Sequence, residues 1–375
     1  MKVLLPLYQI QDLGGIINWV EHLCHGMKTL GAEVTLVRLE DKEQCVERIK
    51  AKRTGVGNTG LAMDQRAGWA FPLTHRVPLR AVNWQQYTTP YDLVIWVVPV
   101  PSEANLFDDW ERLYDIATPQ VMVIHDGNLN DLYPHAYEVM PKCCRVVGVH
   151  DCAYNSISHK IDNRCLIPNP QILTNDRMKP VRFAKREQEV FSLQTFKRWK
   201  RVDDLIRAVP HINGKVFLAG GGIEYYYMTS AGKRKACYGR IWEEAISAGM
   251  SYLGYIPESV RDECLSDSKL LIDPSWSKKY ATYGSHFNRT FVDAIIAGCM
   301  PAGRGLMYDG NSYFPKDLYV TIPYDATPIE FAAEVNTALD LSEREYTQRV
   351  DTMQKIVIEN FHSVVVAKQY LQFAK

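Results

Sequence analysis

Two prolines in four residues, Ile167-Pro168-Asn169-Pro170, interrupt a chain that otherwise alternates short β-rich runs with helical patterns. That alternation is the signature of parallel sheets joined by crossover helices, so the fold class expected is α/β. Ahead of the prolines, strand candidates fall at residues 2–7, 33–39, 92–98, 120–125 and 145–149. Beyond them they fall at 189–193, 215–219, 251–253, 269–273 and 318–322. The polar run 171–179 completes a linker. A length of 375 residues suits two domains better than one. The expected boundaries are 1–170, 171–355, and a C-terminal helix at 356–375 that packs back on the first domain. Ligands of such sheets bind outside the carboxyl ends of the strands and at domain interfaces, so the two sheets are expected to face one cleft.

Formal net charge is zero, so a polyanionic partner must be held by a local basic patch rather than by the field of the whole molecule. The N-terminus MKVLLPLYQI is too short in apolar residues for a secretory signal, and residues 93–98 are too few to span a bilayer. A cytoplasmic protein with no membrane partner follows as the expectation, and a monomer is assumed. Nine cysteines without a CxxC pair read as reduced thiols. Glu21, His22, Cys24 and His25 have metal-ligand side chains, but they read as the solvated face of an amphipathic helix, and no metal site is expected.

Gly14-Gly15 follow the first strand and open a helix whose apolar face runs Ile16, Val20, Leu23, Met27 and Leu30. Glycines at a strand-to-helix turn let a ligand approach the backbone and the helix N–H groups. Glycine pair, amphipathic helix and the strand Glu33-Val34-Thr35-Leu36-Val37 resemble, in that order, the opening of the GT4-like glycosyltransferases. Further segments agree. Pro168-Asn169 is similar to that family's domain junction, and Lys200-Arg201-Val202-Asp203-Asp204-Leu205-Ile206 resembles its K-G-x-D-x-L-I. Leu218 to Gly222 is similar to its glycine turn, and Phe291 to Pro301 resembles its L-L-E-A-M-A-x-G-x-P. A second resemblance, to the α-glucosyltransferases of T-even phages that decorate hydroxymethylcytosine in DNA, rests on 33–37, 92–99, His125-Asp126, Trp199-Lys200 and 297–301.

The resemblance implies a GT-B fold, two Rossmann-like domains with the acceptor on the first and a nucleotide-sugar donor on the second. It implies a retaining transfer from a UDP-sugar co-substrate, with no tightly bound cofactor and no metal needed for donor binding. Lys200 matches the family lysine at the donor diphosphate, where fixed cations stabilise the departing charge. Thr195 stands where the family has arginine, so Arg198 is taken as a substitute. Asp293 occupies the position of the second glutamate of E-x7-E, which accepts the donor ribose hydroxyls, and Ser285 occupies the first. A buried or capping aspartate is the competing account of Asp293. His125 and Asp126 end a buried strand. They are assigned to a donor-sugar hydroxyl and to the attacking acceptor hydroxyl, respectively, against the alternative of a turn-forming aspartate beside a satisfied histidine.

Two features point to double-stranded DNA as the acceptor. Residues 177–207 hold ten Lys/Arg against four Asp/Glu. Residues 222–251 interleave Tyr226 and its tyrosine neighbours with Lys233, Arg234, Lys235 and Arg240, as in surfaces that grip phosphates and stack bases. A hydroxymethylated pyrimidine would then flip out of the duplex to react. A saccharide, lipid or protein acceptor, a GT-B nucleotide-sugar epimerase, and a non-catalytic binding protein remain the alternatives.

Overall fold

The computed structural model describes residues 1–8, 15–39, 75–77, 83–98, 116–125, 145–157, 162–174, 178, 183, 186–196, 200–221, 226–228, 234–236, 241–275, 289–304 and 313–374. The chain divides into two compact units, Met1–Ile172 with Glu359–Lys375, and Leu173–Ile358.

In the first unit the strands are β1 (Lys2–Tyr8), β2 (Glu33–Leu39), β3 (His75–Val77), β4 (Leu93–Val98), β5 (Gln120–Ile124), β6 (Arg145–Gly148) and β7 (Arg164–Leu166). They form one parallel sheet in the order β3-β2-β1-β4-β5-β6-β7. Val3, Leu4 and Leu5 of β1 and Leu93, Val94 and Ile95 of β4 are fully buried. Consecutive burial of this kind marks strands covered on both faces. The order reverses between β1 and β4, so the sheet has one topological switch point there.

Helix α1 (Gly15–Thr29) packs Trp19, Val20, Leu23, Cys24 and Met27 into this core. The C-terminal helix α10 (Ser363–Leu371) adds Val366, Ala367 and Tyr370. Gly26 permits the contact, because a side chain there would run into the Ser363 carbonyl. Two expectations for α1 fail. Leu30 is exposed, because the helix has already ended in a turn closed by Gly31 at φ 78. His22 and Cys24 are buried rather than solvated, because α10 and the segment after Pro168 cover that flank of α1. His22 Nδ1 lies 3.0 Å from the Pro170 carbonyl and 3.3 Å from the Ile172 amide.

In the second unit the strands are β8 (Glu187–Thr195), β9 (Lys215–Gly221), β10 (Tyr226–Met228), β11 (Arg234–Ala236), β12 (Ser251–Gly254), β13 (Ser268–Asp273), β14 (Met300–Arg304) and β15 (Val320–Ile322). All except β10 and β11 form a parallel sheet in the order β12-β9-β8-β13-β14-β15. Its switch point lies between β8 and β13. Strands β10 and β11 pair antiparallel with each other. Strand β14 was not foreseen, since Pro301 and Gly303 mimic a turn. It is nonetheless buried at all five positions, and Pro301 lies just before the β15 pairing begins at Ala302. Arg186 ties this unit together from the inside, donating to the carbonyls of Leu265, Ser268 and Ala297.

The remaining helices are α2 (Trp84–Thr88), α3 (Asp151–Ser156), α4 (Val202–Ala208), α5 (Ile241–Ser247), α6 (Glu258–Asp267), α7 (Arg289–Ile296), α8 (Pro328–Leu339) and α9 (Glu343–Phe361). No helix among the described residues is long and apolar enough to cross a membrane.

Candidate functional site

In the first unit, three side chains meet at the carboxyl end of β5. His125 follows the strand, and its ring stands edge-on to the Trp19 indole of α1, with centroids 5.0 Å apart and planes at 90°. Trp19 in turn meets Tyr370 edge-on at 5.9 Å. His150 lies on the other side. Its Nδ1 accepts the Ala153 N–H that caps α3, at 3.0 Å, so its proton resides on Nε2 and is donated to the His125 carbonyl at 3.1 Å. Burial, reinforced by the neighbouring His150, pushes the His125 imidazole down to about 3. Burial likewise lowers His150 to about 4, against the raising effect of its hydrogen bonds and Asp151. Both rings are therefore neutral at pH 7. His125 Nε2 is buried and lacks a hydrogen-bond partner among the described residues. The ring is thus equipped to exchange a hydrogen bond with a hydroxyl rather than to supply charge.

Gly15 is the first residue of α1, the helix that follows β1 in the chain. Gly14 and Asp126 lie outside the described residues, as do Arg198, Ser285, Lys233 and Arg240. Tyr226 begins β10, while Arg234 and Lys235 begin β11, so the basic and aromatic stretch forms in part a β-hairpin.

In the second unit, Lys200 stands at the switch point. Its Nζ lies 3.5 Å from Oδ2 of Asp273, the last residue of β13. Asp273 is 2% exposed, and its Oδ1 accepts from the Ser275 amide at 2.9 Å and from the Ser275 hydroxyl. Next to these strand ends, Gly220 turns at φ 106, where a side chain would strike the Gln194 carbonyl. Tyr252 donates to the Gly220 carbonyl there, at 3.0 Å.

Arg201 stands where the resembled motif has glycine, and it adopts the left-handed conformation that favours glycine, φ 50 and ψ 34. Its guanidinium grips Asp204, which also receives Arg207 and the buried Arg304. Burial alone would raise the Asp204 carboxyl, but Arg304 and Arg201 outweigh it and hold the group below its ordinary value. Part of the basic excess of residues 177–207 is therefore internal: Arg186 is buried, and Arg201 and Arg207 pair with aspartates.

Asp293 lies in the second turn of α7 and is buried. Its Oδ2 is 3.6 Å from Arg261 Nη1 of α6 and 3.5 Å from Arg289 Nε, one turn earlier on its own helix. The competing account, a buried aspartate, describes these surroundings well. The two arginines were missed in the sequence, although the i,i+4 spacing of Arg289 to Asp293 was there to be read. Asp273 was missed too. It ends a buried strand by the same logic that singled out His125.

Two parallel α/β units in one chain, each with a single switch point among the described residues, match the GT-B fold. Solved structures of that class match essentially the whole chain. The Anabaena protein HepE, bound to UDP and glucose, is 13% identical with a TM-score of 0.64, over 99% of this chain and 98% of that one. An α-glucosyltransferase bound to UDP and a 13-mer DNA containing an HMU base is 12% identical with a TM-score of 0.65, over 100% and 99%. The lipopolysaccharide outer core galactosyltransferase WaaB is 12% identical with a TM-score of 0.62, over 100% and 99%. No protein-family model and no curated protein matches the sequence.

Proposed function

We propose that the protein is a retaining glycosyltransferase that moves a sugar from a UDP-sugar to a hydroxyl, and that the hydroxyl belongs to a hydroxymethylated pyrimidine in duplex DNA. The observation that carries the transferase reading is Lys200, held at the switch point of the second sheet, where a nucleotide-binding α/β unit receives its phosphates.

Lys200 is assigned to the diphosphate, Asp293 to the ribose hydroxyls, and His125 to a hydroxyl of the transferred sugar. Asp126, Arg198, Ser285 and Gly14 keep their sequence-based assignments. In front-face transfer the bond from the sugar C1 to the diphosphate oxygen breaks and the acceptor oxygen bonds to C1 on the same face. The acceptor proton passes to the departing diphosphate. A neutral His125 fits such a step, because it orients the sugar without competing for that proton. Lys200 stabilises the charge that builds on the leaving group. The likeness to an α-glucosyltransferase solved with DNA supports the DNA acceptor, as does the hairpin bearing Tyr226, Arg234 and Lys235.

The test is incubation with labelled UDP-sugars, simple saccharides, and duplexes that carry or lack hydroxymethylated pyrimidine, at low salt. Label entering only the hydroxymethylated duplex is the expected result. Label entering a saccharide instead, with neither duplex accepting, would leave the transferase reading and remove DNA.

A further inference from the structure

Among the described residues, Arg201 is the one non-glycine residue with a positive φ. An L side chain in this conformation crowds its own backbone, and the conformation persists only where surrounding contacts hold it. Here the contact is a two-point clamp: Arg201 Nε donates to Asp204 Oδ2 at 2.8 Å and Nη2 to Oδ1 at 2.9 Å. The planar guanidinium matches the carboxylate in a way a point charge does not. Asp204 also bonds Arg304 Nη1 at the end of β14, and Arg304 is seated on the Pro323 and Ala326 carbonyls, each at 3.2 Å. The turn is thus bolted to the end of β14. Arg201 provides no side-chain cap to α4, so starting the helix is not what requires an arginine.

One residue earlier, Lys200 sends its ammonium to Asp273 at the end of β13, the strand paired with β14. A lysine side chain is long and rotatable, so where its ammonium rests depends on how firmly its own backbone is held. From this geometry we infer that Arg201 is a positioning residue for Lys200: its fork on Asp204 fixes the turn that aims the lysine. The inference rests on the assignment of Lys200 to the donor diphosphate.

UDP serves as the probe, with affinity measured by calorimetry on the full chain. Arg201→Gly permits the turn and removes the fork. Arg201→Asn, also tolerant of the left-handed conformation, repeats the test with a polar side chain. Each is expected to weaken UDP binding about fivefold in the native background and not at all in a Lys200→Ala background, since a residue acting through Lys200 has nothing left to position. A fivefold loss that persists in the Lys200→Ala background overturns the inference, because the fork then serves the unit as a whole. Wild-type UDP affinity in Arg201→Gly and Arg201→Asn also overturns it. If Lys200→Ala alone leaves UDP affinity unchanged, the donor-site assignment itself fails and takes the inference with it. That outcome is separate because the single Lys200 variant reports it.

Discussion

Lys200 and Asp273 face each other across 3.5 Å at the point where the second sheet reverses its strand order. The carboxylate is almost wholly buried and is also held by Ser275, so it is a fixed element and the lysine is the adaptable one. A ligand diphosphate would share that ammonium. Lys200→Ala should therefore weaken UDP binding by about tenfold and slow transfer by more, because a cation at a leaving group counts most in the transition state. Calorimetry with UDP and turnover of a UDP-sugar check this. An effect confined to acceptor affinity would place Lys200 on a different surface.

Asp293 makes a second charged centre. Removing its carboxylate leaves Arg289 and Arg261 facing each other in a buried site, although Arg261 keeps Asp262 and Glu258. Asp293→Ala should cost about 3 kcal/mol in urea unfolding, within the range for a broken buried pair. Asp293→Asn should cost less, since an amide oxygen still accepts from the arginines. Equal stability of Asp293→Ala and the native protein would show that the cluster is looser than the distances imply.

The His125 and His150 pair makes stability depend on pH. Each ring has a folded pKa below its unfolded value near 6.5, so the unfolded chain binds more protons once the pH drops below that value. Their neutral state contributes fully above pH 6.5, and stability falls as the pH is lowered toward about 4 and then about 3. Between pH 6.5 and 5, a window above most carboxylate titration, unfolding free energy should decline. His150→Asn, which retains a capping side chain for α3, should flatten the decline. An unchanged slope in that variant would show that His150 is already charged in the folded protein.

His125→Ala should lower turnover by about a hundredfold and leave the protein folded, with the melting temperature lowered only by the loss of the ring's packing on Trp19, since its Nε2 has no hydrogen-bond partner among the described residues. Asp126→Asn should lower turnover to a similar degree. Retained activity with retained stability in both variants would remove the pair from the mechanism.

Much of this arrangement was legible in the sequence because parallel strands buried on both faces leave long apolar runs, as in β1, β4 and β13. Short strands left no such trace. Three residues such as 75–77 or 164–166 carry too little pattern, and β14 contains the proline and glycine of a turn. Lys200, Asp293 and His125 were singled out as candidates from motif order and strand ends. Their partners Asp273, Arg261 and Trp19 come from other elements, and only the tertiary fold brings them together, whereas Arg289 lies one turn before Asp293 on the same helix. His22 shows the same limit: on the helix wheel it reads as solvent-facing, yet the segment after Pro168 covers it.

The account stands or falls on acceptor-dependent cleavage of a UDP-sugar. Purified protein, a panel of UDP-sugars, and acceptors that include hydroxymethylated duplex DNA and simple saccharides give one direct measurement, UDP release with and without acceptor. Release that requires an acceptor, from an α-linked donor to an α-linked product, is the result expected. Isomerisation of the donor sugar without any acceptor, or UDP-sugar binding with no release under any pairing, would contradict it.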